Sequence, residues 1–505
     1  MKKTFLTIML LLASAIPCCA SSSTVPQHHW TYHSLQVLAE KKLISADIVP
    51  GKTLLTEDQV ASLIKTAVKN AKTLVDKIGE NELVSLRQLS NAYKGALAKI
   101  GCDFAALRKS IEECAAAAGF QTMEPNGGVK ETPASKRAAT SINKFSFDIY
   151  KALAKTKGNM FISPYSISSA LSMTYAGARG KTEEEMAKVL GLDSSIHKNM
   201  GALVKEINSV PADTAKVSAA NALWPSKQEA LLPQFTATVR ENYKAGLTQL
   251  DYKKDPDAAA AVINSWVAKH TENKILDIIA KGTLTRDTML TLTNAVYFKA
   301  NWNDKFEPEN TRAEAFHTAH GVSVKAPMMT RTGNDINYAR TAWGEIAELP
   351  YTYSRFSMFV LLPTAGRDFT AAEDALSAEM FNGLASKMSA RKVILTIPKF
   401  RAEQSFSLSK TLAKMGMPSA FGGGADFSGI NGKRNIFIGG VLHKTFISVA
   451  EDGTEAAAAT AVILSKMSMP APDPPIIFRA DRPFIYVIKD NETGVILFIG
   501  RFVKP

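Results

Sequence analysis

Cysteine is scarce in this chain of 505 residues, and its four copies all lie near the start. They are Cys18, Cys19, Cys102 and Cys114. A disulfide framework or a cysteine-ligated metal site is therefore excluded for everything that follows residue 114. Neither a Gly-x-Ser-x-Gly nor a His-Glu-x-x-His motif occurs, which argues against a serine hydrolase and against a zinc protease.

Clustered charge is lacking as well. The net charge of +13 and the pI of about 9.3 would suit a polyanionic partner. However, the lysines are scattered, and no basic run is interleaved with aromatic residues, so we expect no nucleic-acid partner. The apolar content of 46% and a mean hydropathy of -0.04 indicate a soluble globular protein. Its length is sufficient for about two or three domains.

The start of the chain has the pattern of an export signal. Two lysines precede a short apolar core at residues 5–12, which is too short to span a bilayer. We therefore predict a signal peptide at residues 1–20 and export to the periplasm, cell envelope or extracellular space of a bacterium. Lipidation at Cys18 or Cys19 is the alternative, but Pro17 stands where lipoprotein signals carry a small residue.

Residues 24–70 contain His29-Trp30, an apolar stretch, and a helix start at Thr56 that is followed by acidic residues. This order resembles one S-layer homology motif, although Glu57 stands where the motif typically has arginine. The resemblance implies a tether to peptidoglycan or another cell-wall polymer. A small helical cap without a ligand is the alternative.

Residues 73–118 carry apolar side chains three or four positions apart, which predicts a helical or coiled-coil spacer. The sequence of residues 81–101 resembles the coil that follows the S-layer homology motif in some envelope proteins. Such coils are often trimeric, so the resemblance implies an oligomer. A single amphipathic helix would show the same spacing. On one helix Cys102 and Cys114 lie about 18 Å apart, so an internal disulfide requires a helix break. Otherwise they pair between chains or stay free. Proline and glycine mark residues 119–140 as a linker.

The stretch from Glu451 to Ser468 is rich in small and β-branched residues and free of proline. Read with the period of a strand, it has one face without charge. That face comprises Thr454, Ala456, Ala458, Thr460, Val462 and Leu464, and the other comprises Glu455, Ala457, Ala459, Ala461, Ile463 and Ser465. Gly453 permits a backbone pivot before it. An alanine-rich helix is the alternative reading of the same residues.

The remaining motifs resemble the serpins, inhibitors that trap serine proteases, over residues 141–505. The segments that carry the resemblance are Asn159–Gly180, Asn221–Trp224, Thr293–Trp302, Pro327–Met329, Ile397–Phe400, the stretch just described, and Phe478–Ile488. The resemblance implies an α+β fold of three β-sheets with surrounding helices. Residue patterns independently indicate α+β, with strands at 290–298 and 484–502 and helices at 182–190 and 404–415.

The resemblance also implies a mechanism. A target serine protease would attack the loop, form a covalent acyl complex, and be trapped when the cleaved loop inserts into the central sheet. The chain would therefore be an inhibitor and not an enzyme, without cofactor or metal. The implied hinge comprises Glu451, Gly453, Thr454, Ala456, Ala457, Ala458 and Ala459. The alternative is a non-inhibitory envelope binding protein with the same fold.

Fourteen residues after the hinge glycine, the resemblance places the reactive bond at Met467–Ser468, which suits elastase-like or chymotrypsin-like proteases. A slip of one residue would present Lys466 to trypsin-like proteases. Five further residues are implied to hold and release the opening of the sheet. They are Ser163, Ser166, Asn294 and His443, which form the shutter, and Trp302, which lies at the breach where the hinge first enters.

Overall fold

The computed structural model describes residues 25, 30–45, 54–75, 78–119, 133–155, 158–210, 215–319, 321–454 and 474–505. The predicted signal peptide, the hinge alanines at 456–459 and the reactive-bond residues Lys466, Met467 and Ser468 lie outside these ranges. The chain divides into two compact units, residues 1–130 and residues 131–505.

The first unit is helical. Its helices are α1 (Trp30–Glu40), α2 (Glu57–Thr73), α3 (Glu80–Ala92), α4 (Lys94–Lys99) and α5 (Phe104–Ala117). The predicted helix start at Thr56 is confirmed, because the Thr56 hydroxyl accepts from the backbone of Gln59 at 3.3 Å and the Gln59 side chain accepts from the backbone of Thr56 at 2.7 Å. These reciprocal bonds form a capping box. Within the described ranges, no helix is long and apolar enough to cross a membrane.

Residues 73–118, predicted as a helical or coiled-coil spacer, are helical but fold into three helices that pack with α1 and α2. The break before α5 occurs at Gly101, whose φ is +69°, and Asp103 then caps the new helix. The apolar seam therefore lines the unit's own core. This core includes Leu35, Leu38, Val60, Ile64, Leu86, Leu89, Leu97, Leu107 and Ile111. Cys102 and Cys114 are free, and Cys114 is buried.

The second unit begins with a helix inside the predicted linker, since α6 starts at Ala134 directly after Pro133. The helices are α6 (Ala134–Ala154), α7 (Pro164–Tyr175), α8 (Gly180–Leu190), α9 (Ile196–Asn208), α10 (Pro233–Tyr243), α11 (Pro256–His270), α12 (Phe369–Asp374), α13 (Ala378–Ala385), α14 (Ser409–Met415) and α15 (Ser428–Asn431). The strands are β1 (Met160–Ile162), β2 (Lys216–Pro225), β3 (Gly246–Leu247), β4 (Leu290–Asn301), β5 (Thr311–His317), β6 (Ser323–Arg340), β7 (Gly344–Pro350), β8 (Phe356–Pro363), β9 (Ser389–Pro398), β10 (Phe400–Ser407), β11 (Gly440–Ala450), β12 (Gly453–Thr454), β13 (Ile476–Arg479), β14 (Phe484–Asp490) and β15 (Ile496–Phe502).

Pairing joins the described strands into a larger and a smaller sheet. The larger follows the order β1-β15-β14-β8-β7-β6-β9-β13, with β5 also on β6. The long strand β6 connects two parts of it: residues 338–340 pair with β7, residues 328–338 pair with β9, and residues 323–329 pair with β5. These two parts and the smaller sheet together correspond to the three predicted sheets, and the α+β prediction is confirmed.

The smaller sheet has the order β10-β11-β12-β4-β2-β3. Side chains of β4 alternate between its faces: Val296 and Phe298 lie in the core that contains α7, and Ala295 and Tyr297 lie in the core under α11. The predicted helix at 404–415 is only partly right, because residues 404–407 continue β10 and pair with β11. Pairing with a neighbouring strand outweighs the local helical spacing there.

Candidate functional site

The site lies where β4 and β11 meet. Residues 291–297 of β4 pair in parallel with residues 440–446 of β11, and we call this pairing the junction. Beyond it the two strands are separated by β12, which pairs antiparallel with both. The hinge residues Gly453 and Thr454 therefore already lie between β4 and β11 at one end. At the junction, β4 and β11 pair directly with each other and leave no place for a strand between them.

Only glycine fits at the first position of β12. A Cβ atom on Gly453 would lie 2.2 Å from the carbonyl oxygen of Ala300 and 2.6 Å from the Cα of Asn301. Its φ of +157° is also one that residues with side chains rarely adopt. The sequence allowed a pivot at this glycine, and the structure adds a close backbone approach.

The second residue of β12 is fully buried. Thr454 is 0% exposed, and its hydroxyl shares a 2.8 Å hydrogen bond with the Tyr351 hydroxyl. Burial raises the pKa of Tyr351 far above its ordinary value, so this phenol stays protonated. A charged side chain at position 454 would have no water and no counterion on this face.

Trp302 holds the turn that leads into β12. Its indole Nε1 donates to the carbonyl oxygen of Ala450 at 2.9 Å, and its backbone N–H donates to that of Asp452 at 2.8 Å. The ring stacks on Tyr351 with centroids 4.5 Å apart. This tryptophan therefore holds the turn at residues 450–452, directly before β12.

Ion pairs hold the same turn from outside. Glu451 accepts from Lys399 Nζ at 2.8 Å and from the Thr311 hydroxyl at 3.0 Å. Asp452 accepts from Lys305 Nζ at 3.0 Å. Partial burial acts to raise the pKa of Glu451, but the hydrogen bonds from Lys399, from its own backbone and from Thr311 outweigh burial, and the pKa lies below its ordinary value. Glu451 is therefore ionised at neutral pH.

A buried polar row crosses the junction. His443 of β11 lies opposite Asn294 of β4, which in turn lies opposite Asn221 of β2. His443 Nδ1 is hydrogen-bonded to Asn294 Oδ1, and Asn294 Nδ2 donates to Asn221 Oδ1 at 2.6 Å. Asn221 was not among the predicted site residues, although it opens a segment that carries the serpin resemblance. Its place in the row follows only from the register of β2 against β4.

Two serines at the start of α7 complete this cluster. The Ser163 backbone N–H donates to His443 Nε2 at 3.0 Å, and the Ser163 hydroxyl donates to the carbonyl oxygen of Leu497 at 2.7 Å. The Ser166 hydroxyl donates to Asn221 at 2.6 Å and accepts from Asn294. The structure therefore brings the predicted Ser163, Ser166, Asn294 and His443 together in one network.

This network defines the state of the histidine. Because Nε2 of His443 accepts from Ser163, Nδ1 carries the proton and donates to Asn294. Burial lowers the pKa of His443 to about 3, against a smaller raising effect of Asn294. A neutral imidazole therefore joins the two strands of the junction at physiological pH. Its two ring nitrogens are occupied by a backbone amide and a side-chain amide, so His443 holds the two strands together and does not act as a general base.

Comparison with known proteins decides the family. The model of the family described as Serpin (serine protease inhibitor) matches residues 140–505. The chain belongs to the serpin family. An uncharacterised serpin-like protein of Thermococcus kodakarensis is 42% identical over 373 residues, which are 73% of this chain and 86% of that protein. The leukocyte elastase inhibitor of Xenopus laevis is 37% identical over 377 residues, 73% of this chain and 99% of that protein.

The fold agrees with solved serpins. The crystal structure of Serpin48, a highly specific serpin of the insect Tenebrio molitor, superposes with a TM-score of 0.67 at 29% identity. It covers 75% of this chain, and the match covers 100% of that chain. The serpin fold predicted from the sequence is therefore confirmed for the second unit. The polar row contains the four predicted shutter residues, Trp302 is the predicted breach residue, and β12 contains the predicted hinge residues Gly453 and Thr454.

Proposed function

We propose that this serpin is a serine protease inhibitor that acts as a suicide substrate. A target protease would cleave the loop at Met467–Ser468, form an acyl bond to Met467, and be trapped as the loop enters the smaller sheet. The observation that carries this proposal is the position of β12, which already pairs with both β4 and β11 beyond a closed junction. The names of relatives such as the leukocyte elastase inhibitor support inhibition in general.

Insertion would extend β12 between β4 and β11. Each further residue would advance one position along β4 and β11, because both pairings are antiparallel. The parallel bonds of the junction would be replaced by two antiparallel ladders. The inward positions of the loop would then be threonine, alanine and aliphatic residues, which favours rapid burial.

The same register brings Thr460 to the shutter. Six steps after Thr454, residue 460 comes between His443 and Asn294. Insertion breaks the bond between these two side chains, which leaves a buried donor on His443 and a buried acceptor on Asn294. A hydroxyl both accepts and donates. Thr460 is therefore suited to reconnect the separated strands in the inserted state.

A gel assay tests this function. The mature protein is mixed with pancreatic elastase, chymotrypsin or trypsin and run on denaturing gels after boiling. We expect a band at the summed mass with elastase or chymotrypsin, which corresponds to cleavage after Met467. A band with trypsin alone would assign the reactive bond to Lys466. Loop cleavage without such a band for any protease would contradict inhibition and indicate a non-inhibitory binding protein.

We also propose that the protein is exported and that its first unit keeps it at the bacterial envelope. The apolar start of the chain supports export, and the family match from residue 140 leaves residues 1–139 as an addition. Sedimentation of the full mature chain with purified peptidoglycan tests the tether, against a variant that lacks residues 24–70. Equal sedimentation of both proteins would contradict it.

A further inference from the structure

We call the face of the smaller sheet that carries Ala295 and Tyr297 its outer face. Near β12 this face carries a row of positive charge, which crosses the line between β4 and β11 along which the loop would insert. Lys216 of β2 lies directly opposite Lys299 of β4. On the other side of that line, Arg401 of β10 lies directly opposite Ser448 of β11. Lys299 and Arg401 are exposed. Since like charges that face each other on neighbouring strands repel, the pair of lysines is unfavourable in the intact protein.

This charge is only partly compensated among the described residues. Lys216 forms an ion pair with Glu272, and the hydrogen bond from Lys216, followed by weaker effects of nearby lysines that include Lys299, lowers the pKa of Glu272. Within the described ranges, no carboxylate lies within salt-bridge distance of the Lys299 ammonium. The Arg401 guanidinium lies over the ring of Phe446, 4.7 Å from its centroid, and stays on the outer face.

The register of β12 identifies the loop residue that comes to this row. Thr454 pairs with Ala300 on one side and with Val449 on the other. In the inserted strand, one further antiparallel step would place Glu455 directly opposite Lys299. Directly opposed Cβ atoms lie about 4.5–5.5 Å apart, which is within reach of an ion pair. Glu455 is the only charged residue between positions 453 and 465.

We propose that Lys299 is a positioning residue for loop insertion, which receives the Glu455 carboxylate on the outer face of the sheet with Arg401 across the inserted strand. This inference rests on the proposed function. The ion pair marks the register, because a slip of one residue would turn Glu455 towards the buried face under α7. It also relieves the repulsion between Lys216 and Lys299, so the intact sheet favours the arrival of this carboxylate.

The test uses the full mature chain and whichever of elastase, chymotrypsin and trypsin gives a covalent complex. The measured quantity is the ratio of cleaved inhibitor to complex. We expect Lys299→Gln and Glu455→Gln each to raise this ratio about threefold, as for a partly exposed ion pair. The reversed pair, Lys299→Glu with Glu455→Lys, should restore most of the trapping, and Lys299→Arg should retain it. Lys325→Gln, an exposed strand lysine in the larger sheet, is the control and should leave the ratio unchanged.

The outcomes separate this inference from the function on which it rests. If the wild-type protein forms no complex with any protease, the proposed function fails. If the wild-type protein traps its target and Lys299→Gln traps equally well, only the role of Lys299 is overturned. Slow insertion that the reversed pair does not restore would also overturn the ion pair. Thermal unfolding of intact Lys299→Gln should occur at or above the wild-type temperature, because the repulsion from Lys216 is removed, so misfolding does not account for the effect.

Discussion

Replacement of Gly453 by alanine is the sharpest local perturbation of the hinge. The added Cβ would lie 2.2 Å from the carbonyl oxygen of Ala300, well inside van der Waals contact. In the intact protein β12 is only two residues long, so withdrawal of the strained segment from the sheet breaks few contacts, among them the hydrogen bond between Thr454 and Tyr351. After cleavage the segment must stay between β4 and β11 as the strand extends, and withdrawal is no longer compatible with insertion.

The size of the effect follows from overpacking. Extra methyl groups forced into a well-packed site destabilise it by about 1–3 kcal/mol. If this contact forms before the rate-limiting step of insertion, a penalty of that size slows insertion by about 5- to 150-fold. The protease would then complete hydrolysis before it is trapped. Gly453→Ala should therefore turn the inhibitor largely into a substrate.

The assay compares covalent complex with cleaved inhibitor on denaturing gels, and thermal unfolding of the intact protein. We expect a large loss of complex and only a small fall in the unfolding temperature, because few contacts of β12 are lost in the intact protein. Gly383→Ala is the matched control, since an added Cβ there meets nothing within 4 Å. If Gly453→Ala forms as much complex as the wild-type protein, the close approach to Ala300 does not persist during insertion and the reasoning is refuted.

Three further predictions concern neighbouring groups. His443 is neutral in the fold with a pKa of about 3 but binds a proton below about pH 6.5 when unfolded. Its stabilisation is therefore present above pH 6.5 and decreases by about 1.4 kcal/mol per pH unit as the pH falls towards 3. Urea unfolding from pH 7.5 to 5.0 should show a steeper loss of the free energy of unfolding for the wild-type protein than for His443→Gln, and equal slopes would contradict this. Thr454→Val should lower the unfolding temperature slightly, since the hydroxyl of Tyr351 loses its 2.8 Å partner, and an unchanged temperature would show that another partner replaces it. Oxidation of Met467 should weaken inhibition of elastase, because the sulfoxide is polar; full potency after oxidation, verified by mass spectrometry, would count against that register.

The residues that carry the serpin resemblance were sufficient to predict the fold class and the side chains of the shutter. Ser163, Asn294 and His443 lie far apart in sequence, so no spacing rule could bring them together without the family pattern. Asn221 was missed because its partnership with Asn294 depends on the register of β2 against β4. Period-two patterns predict strands but not which strands lie side by side.

The contacts of the hinge and the packing of the first unit could not be predicted from the sequence, because both depend on tertiary structure. Lys399, which lies between β9 and β10, and Thr311, at the start of β5, both reach Glu451, and neither stands in a local pattern that points to the hinge. In the first unit, an apolar seam has the same spacing whether it pairs with another chain or with its own helices. The helix break at Gly101 decides between these, because it lets α5 fold back onto the unit's own core.

Hydrogen exchange of the intact and the loop-cleaved protein tests the central claim most directly. If the loop inserts between β4 and β11, the backbone amides of residues 455–464 should exchange slowly after cleavage and much faster before it. The amides of β4 and β11 should stay protected in both states, because one ladder replaces another. Equally fast exchange of residues 455–464 before and after cleavage would mean that the sheet does not receive the loop, and would contradict trapping by insertion.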